Sequence, residues 1–250
     1  MLNLSFRFYH LKSIGISIPH PSKASFGGED SFFISKNNKV IGIADGVGGW
    51  ANIPGGNSAK YSRDLMKYSD ELSYLNDPIQ ILEKAYQKMD KALKGSTTAM
   101  ILCLNDTKAD ILNVGDSGCS IFRNGKALFS TIPTVYGFNF PYQLGMNSKT
   151  LPRDGTFDSF PIELGDIIIS GTDGVWDNIW ESSIEEEIKK TNLLNNKISH
   201  LGKEISNIVK RNSHDINFKS PFAVEARNHG YNYNGGKPDD ITLIASIVVH

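Results

Sequence analysis

The chain has 250 residues, 40% of them hydrophobic, which is enough for one well-packed core and sets the expectation of a single domain over residues 1–250. Its 26 Lys and Arg stand against 27 Asp and Glu, so no excess of positive charge draws it to nucleic acid or to an anionic membrane surface. No apolar run approaches the roughly 20 residues that span a bilayer, and Cys103 and Cys119 both sit in apolar runs, which argues against a disulfide framework and against a cysteine metal site.

In chain order, Met1 to Tyr9 is apolar and aromatic, with neither a small-residue cleavage site nor an Arg/Ser-rich amphipathic pattern. Phe6, Phe8 and the alternation after them read as a first strand. Ser31 to Ile34 and Val40 to Ala44 are β-branched or aromatic runs around the polar cluster Lys36-Asn37-Asn38-Lys39, so a hairpin is expected. Apolar residues then recur at helical spacing from Ser58 to Leu75 and from Asp77 to Leu93, the second helix opening on Asp77-Pro78 as cap and first turn. Ala99 to Leu104, Ala109 to Val114, Ser120 to Phe122 and Ala127 to Phe129 are spaced like an antiparallel meander, with Asn124-Gly125 as a two-residue hairpin turn. Between Ser130 and Phe160, Pro, Gly, Asn and aromatic residues follow no period, which marks an irregular loop. Asp166 to Gly171 reads as a buried strand, Ser183 to Lys190 and Leu194 to Lys210 as a second helical block, and Ile241 to Val249 as a final strand. The expected class is α+β: a central β-sandwich of two antiparallel sheets flanked by pairs of α-helices, in four layers α-β-β-α.

Acidic residues gather at the ends of these strands. Glu29-Asp30 opens one, Asp45-Gly46 closes the next, and Asp173-Gly174 and Asp239-Asp240 stand beside two later ones. Hard ions such as Mg²⁺ and Mn²⁺ prefer carboxylates, carbonyls and water, and rigid strand ends can bring such ligands together from far apart in sequence. Any one Asp-Gly pair is also among the commonest turn dipeptides.

The order of the neighbouring residues narrows the reading. Gly27-Gly28-Glu29-Asp30-Ser31-Phe32-Phe33, Ala44-Asp45-Gly46-Val47-Gly48-Gly49-Trp50, Gly95-Ser96-Thr97-Thr98-Ala99, Asn113-Val114-Gly115-Asp116-Ser117-Gly118, Ser170-Gly171-Thr172-Asp173-Gly174-Val175-Trp176-Asp177-Asn178 and Gly236-Lys237-Pro238-Asp239-Asp240-Ile241-Thr242 follow one another as the motifs of protein phosphatase 2C sequences do. From about Gly27 to Val249 the chain resembles that family, and within it the branch with Asp-Gly-Val-Gly-Gly-Trp, which includes plant enzymes and mitochondrial-matrix phosphatases. The resemblance implies a metal-dependent serine/threonine phosphatase, in which water shared by two Mn²⁺ or Mg²⁺ ions attacks phosphorus directly. It implies Asp45 as the carboxylate common to both ions, the Gly46 carbonyl and Glu29 as further ligands of one, Asp173 and Asp239 as ligands of the other, and Asp30 as the group that orients water. Asp116 matches an aspartate that holds a third, weaker ion in some relatives, or is a turn residue. The implied partner is a phosphoprotein, the implied compartment the mitochondrial matrix or else the cytoplasm, and a monomer is expected. A dead relative retained as a binding module is the rival, although Glu29, Asp45, Asp173 and Asp239 are all present.

Three departures stand out. Val47 replaces the histidine often proposed as general acid, and Ser25 replaces the arginine that grips phosphate, leaving Lys23 as the candidate anchor or as a solvated turn residue. The usual flap gives way to Tyr136-Gly137-Phe138-Asn139-Phe140-Pro141-Tyr142, whose aromatics either cap the core or meet substrate. Trp50 and Trp176 read as packing residues, and His20, His214 and His229 as surface or structural ones.

Overall fold

The computed structural model describes residues 9–191 and 198–250; the strand start at Phe6 and Phe8 and helix residues 194–197 lie outside them. Strands β1 (His10–Ile18), β2 (Ser31–Ile34) and β3 (Val40–Ala44) precede helices α1 (Ser58–Glu71) and α2 (Pro78–Lys88). Then come β4 (Ser96–Thr97), β5 (Ala99–Asn105), β6 (Lys108–Val114), β7 (Gly118–Arg123) and β8 (Lys126–Ser130), followed by the short β9 (Val135–Gly137), β10 (Phe140–Pro141) and β11 (Leu144–Gly145). The chain ends with β12 (Thr156–Pro161), β13 (Ile167–Gly171), the single turn α3 (Asp173–Trp176), helices α4 (Glu181–Lys190), α5 (Ile198–Ser213) and α6 (Pro221–Asn228), and β14 (Ile241–Val249). One five-stranded sheet runs β1-β14-β13-β7-β8 and the other β12-β6-β5-β3-β2, with every neighbouring pair antiparallel.

The central strands of each sheet are covered on both faces, so they alternate between two apolar environments and read as nearly unbroken apolar runs, whereas the edge strands β8 and β12 alternate between exposed and half-buried residues. In β5, Met100, Leu102 and Leu104 fill the space between the sheets with Ile41, Ile43, Ile111, Ile168 and Ile244. The intervening Ala99, Ile101 and Cys103 pack against Leu65 of α1 and Ile81, Leu82 and Ala85 of α2. On the far side Ile167, Ile169, Leu243 and Ala245 meet Ile184 and Ile188 of α4 and Leu201, Ile205 and Val209 of α5. Burying each such Ile or Leu stabilises the fold by about 1.5–3 kcal/mol, and a one-residue slip would exchange the two faces of a strand, so this alternation also fixes register. No helix among the described residues is long and apolar enough to cross a membrane.

The four-layer expectation holds, but the meander does not. The β5–β6 and β7–β8 hairpins belong to different sheets, and the chain crosses between them at Gly115-Asp116-Ser117. Gly115 turns there with φ +104°, a conformation that favours glycine. The segment 130–160 is less irregular than its composition suggests, because β12 pairs along β6 from Thr156↔Asn113 to Pro161↔Lys108. This is an edge strand, where a terminal proline is tolerated. The Ser220-Pro221 start of α6, with Ser220 Oγ accepting from Ala223 N at 3.0 Å, was also legible in principle and not expected.

Candidate active site

The strand registers bring the acidic residues together. Ser31 pairs with Ala44, Ala99 with Val114, and Gly171 with both Gly118 and Leu243. Residues just outside these pairs, namely Asp30, Asp45, Thr98, Asp116, Thr172, Asp173 and Asp240, therefore share one end of the sandwich. A cleft of about 220 Å³ opens there, lined by Lys23, Asp45, Gly46, Val47, Asp116, Asn139, Asp173, Lys237 and Asp239 among others.

Hydrogen bonds tie the two sheets across this end. Thr172 Oγ1 donates to Asp30 Oδ2 at 2.9 Å instead of capping α3, and accepts from Thr242 N at 3.2 Å. Asp240 is buried and accepts from Glu29 N at 2.8 Å and from His20 N at 2.7 Å, fastening the loop before β2 to the start of β14. Arg63 holds the Phe26 and Gly28 carbonyls at 2.7 Å each. The Asp-Gly pairs owe their glycines to close backbone approach, not to turn formation. A Cβ on Gly46 would stand 2.7 Å from the Glu29 carbonyl and 2.8 Å from that of Ser58, and one on Gly174 would stand 1.9 Å from the Asp240 carbonyl.

Crowded carboxylates dominate the electrostatics. Burial, then the charges of Asp173, Asp30, Asp239 and Asp116, pushes Asp45 well above the usual carboxylate range. Burial and Asp240 push Asp30 to about 8, and burial and Asp173 push Asp116 to about 8. Asp239 is raised by burial and by Asp173. Burial acts on Asp173 in the same sense, but the charge and hydrogen bond of Lys237 outweigh it and hold Asp173 below its ordinary value.

Two lysines offset part of this charge. Lys23 Nζ lies 2.7 Å from Glu29 Oε2 and 3.0 Å from Asp240 Oδ2. Lys237 Nζ lies 2.5 Å from Asp173 Oδ2, 2.7 Å from Asp177 Oδ2 and 3.6 Å from Asp239 Oδ2. With these ammonium groups interposed, no three acidic, histidine or cysteine side chains among the described residues close into a ready-made cage. The donor set nevertheless fits hard divalent cations. It is all oxygen, it is crowded with like charge, and Asp30 Oδ1 and Asp116 Oδ1 are buried without a hydrogen-bond partner.

The sequence expectations fare unevenly. Asp45, Gly46, Asp116, Asp173, Asp239 and Lys23 all line the cleft, while Glu29 and Asp30 are buried at its side. Lys23 is no solvated turn residue, since its side chain is 23% exposed and ion-paired with Glu29, Asp240 and, at 3.8 Å, Asp239. His229, expected to be solvated or structural, stacks on Phe138 at 5.1 Å. Lys237 and Asp177 were missed. Asp177 lies four residues after Asp173, a spacing that puts both carboxylates on one face once α3 is known to begin at Asp173. Cys103 and Cys119 are buried, and burial raises both thiols, Cys119 to about 12, which rules out a thiolate nucleophile at either position.

Next to the cleft, and sharing Asp116 and Asn139 with it, is a second cavity of about 430 Å³. Phe138, at the tip of the β9–β10 hairpin, meets Phe222 of α6 at 5.2 Å in a tilted contact and stacks with Tyr231, just beyond α6, at 5.2 Å. Phe138 thus walls a cavity beside the acidic cleft.

No family model matches the chain. Curated relatives do. Probable protein phosphatase 2C 80 of Arabidopsis thaliana is 38% identical over 249 residues, 98% of this chain and 60% of that protein, and probable protein phosphatase 2C 55 of the same plant is 37% identical over 92% of this chain and 50% of its own length. The chain therefore spans little more than half of these two proteins. It covers more of the human protein phosphatase PTC7 homolog, with 34% identity over 90% of this chain and 81% of that one. Among solved structures, that of the photosystem II phosphatase PBCP superposes with a TM-score of 0.88 at 33% identity, covering 96% of this chain and 99% of the other. The catalytic domain of the phosphatase PstP, in complex with 2 manganese ions, shares the fold at a TM-score of 0.63 and 15% identity over 97% of this chain and 100% of that one. Identity of 34% across 81% of a relative's length, on this fold, means that the chain belongs to the protein phosphatase 2C family.

Proposed function

We propose that the chain hydrolyses phosphoserine and phosphothreonine esters of proteins with the help of divalent cations held at the acidic cleft. The observation that carries this reading is the convergence of Asp45, Asp116, Asp173 and Asp239 on one small cleft, beside the buried Glu29 and Asp30. Asp45, Gly46 and Glu29 would hold one ion, and Asp45, Asp173 and Asp239 another. Mn²⁺ or Mg²⁺ bound there would supply water activation at neutral pH and neutralise charge on the phosphoryl oxygens.

The chain's own residues do the rest. Asp30, anchored by Thr172 and left with Oδ1 unpaired, would orient water and take its proton once bound metal favours the ionised carboxylate. Lys23 faces the cleft as a point charge for phosphate, in place of the absent arginine. Val47 offers no proton at the position of the family histidine, which disfavours poor leaving groups. The test is release of phosphate from a phosphothreonine peptide as Mn²⁺ is titrated in. Activity should appear with the metal and vanish with a chelator; turnover that chelation does not change would refute the proposal.

The cavity walled by Phe138 should meet the peptide around the phosphorylated residue rather than the phosphate. Phe138→Ala is expected to raise KM for a phosphopeptide by about 5–10-fold, a loss of roughly 1–1.4 kcal/mol. The KM for a small aryl phosphate should hardly move. Equal changes for both substrates would place Phe138 in general packing instead.

A further inference from the structure

Lys237 is held more firmly than a surface lysine in any role as a casual counter-ion. Its backbone is clamped by Asn178, whose Oδ1 accepts from Lys237 N at 2.8 Å and whose Nδ2 donates to the Lys237 carbonyl at 2.9 Å. The side chain is 15% exposed, and Nζ stands 5.0 Å above the Phe222 ring. From that platform the ammonium reaches Asp173 Oδ2 at 2.5 Å, Asp177 Oδ2 at 2.7 Å and Asp239 Oδ2 at 3.6 Å. Asp116 lines the same cleft, and its Oδ1 is buried without a hydrogen-bond partner.

We propose that Lys237 is a tethered cation standing where a third divalent ion would otherwise gather Asp116, Asp173 and Asp177, so that this chain holds two exchangeable ions and not three. The inference rests on the metal-dependent reading above. A hard dication needs its oxygens at about 2.0–2.1 Å in a near-octahedral set, and it cannot share Asp173 Oδ2 and Asp177 Oδ2 with an ammonium already hydrogen-bonded to both. Like charge at that separation opposes it further. A fixed ammonium supplies single positive charge on the Asp177 side of Asp173 at every metal concentration, where an exchangeable ion would supply it only when the metal is abundant. Asp116 then has no ion to bind, and its role shrinks to lining the cleft.

The experiment counts Mn²⁺ per chain by equilibrium dialysis at millimolar free metal, without any activity readout. The parent and Lys237→Arg are expected to bind two ions. Lys237→Met, which keeps the apolar stem against Phe222, should bind a third, weak ion, and adding Asp116→Asn to it should return the count to two. Asp116→Asn alone should leave the parental count unchanged. Three ions on the parent chain, or only two on a folded Lys237→Met chain, would overturn the inference while leaving the two-ion phosphatase reading intact. No bound ion on the parent would remove that reading and the role of Lys237 with it. If Lys237→Met does not fold, Lys237→Gln, which also removes the charge, takes its place with the same expected count of three.

Discussion

Asp45→Asn is expected to abolish phosphatase activity and, in the presence of chelator, to melt at a higher temperature than the parent. Both effects have one cause. Asp45 follows β3 at the centre of the acidic group, and burial together with Asp173, Asp30, Asp239 and Asp116 opposes its charge. A neutral amide of the same shape relieves that repulsion in the metal-free protein; removing about 1 kcal/mol of it would raise Tm by roughly 2–4 °C in a domain of this size. The same substitution takes a charged oxygen from the position proposed to be common to both ions, and hard cations bind amide oxygen far less well than carboxylate. Losing one such preorganised electrostatic group costs on the order of 10²–10³-fold in turnover, and the loss is larger where two ions depend on it. Added Mn²⁺ should therefore raise Tm of the parent and leave that of Asp45→Asn nearly unchanged. Parental activity in the variant would remove Asp45 from the site, and a lower Tm in chelator would show that its charge is not under strain.

What was legible in advance follows from which interactions are local. Two-sided burial writes itself into β3, β5, β13 and β14 as continuous apolar runs, so those strands were found within a residue or two of their ends. The Asp-Gly junctions were legible through the order of their flanking motifs, since any one such pair is a common turn dipeptide; the close backbone contact that requires their glycines shows only in the fold. The crossing at Gly115-Asp116-Ser117 was not, since a hairpin and a change of sheet use the same turn residues and only the packing of Cys119 and Ile121 against the opposite sheet separates them. The role of Lys237 was not legible, because its hydrogen-bonded partners Asp173 and Asp177 lie 64 and 60 residues away and a lysine two residues before Asp239 reads equally well as a solvated loop residue. The aromatic cluster of Phe138, Phe222, His229 and Tyr231 was hidden because it is assembled from a hairpin tip, α6 and the loop after it, segments without a fixed period between them.

The metal-free protein should lose stability as pH rises from about 5.5 to about 8.5, the reverse of what salt-bridged carboxylates produce. Burial is the first cause in each case: with Asp240 it raises Asp30 to about 8, with Asp173 it raises Asp116 to about 8, and against the counteracting charge of Lys237 it still leaves Asp177 at about 7, all from an ordinary value of 3.8. These groups favour the proton in the folded state. Their contribution is complete below the ordinary carboxylate pKa, shrinks as the unfolded chain ionises, and is gone once pH passes the folded values near 7 to 8. Asp173 runs the other way, because its folded pKa is lowered by Lys237; its contribution is present above pH 4 or so and is lost only at lower pH, outside this window. A loss of a few kcal/mol corresponds to a fall in Tm of roughly 5–10 °C between the two conditions. Divalent metal should reverse the trend, since binding needs the deprotonated carboxylates and stabilises by about 2.7 kcal/mol at a hundredfold excess over Kd. Melting curves with chelator and with Mn²⁺ should thus lie close together at the acidic end and separate steadily toward the alkaline end. A metal-free Tm that stays flat or rises with pH would mean that the acidic residues at this end of the sandwich ionise as freely in the folded chain as in the unfolded one, and the crowding that makes them a cation site would be absent.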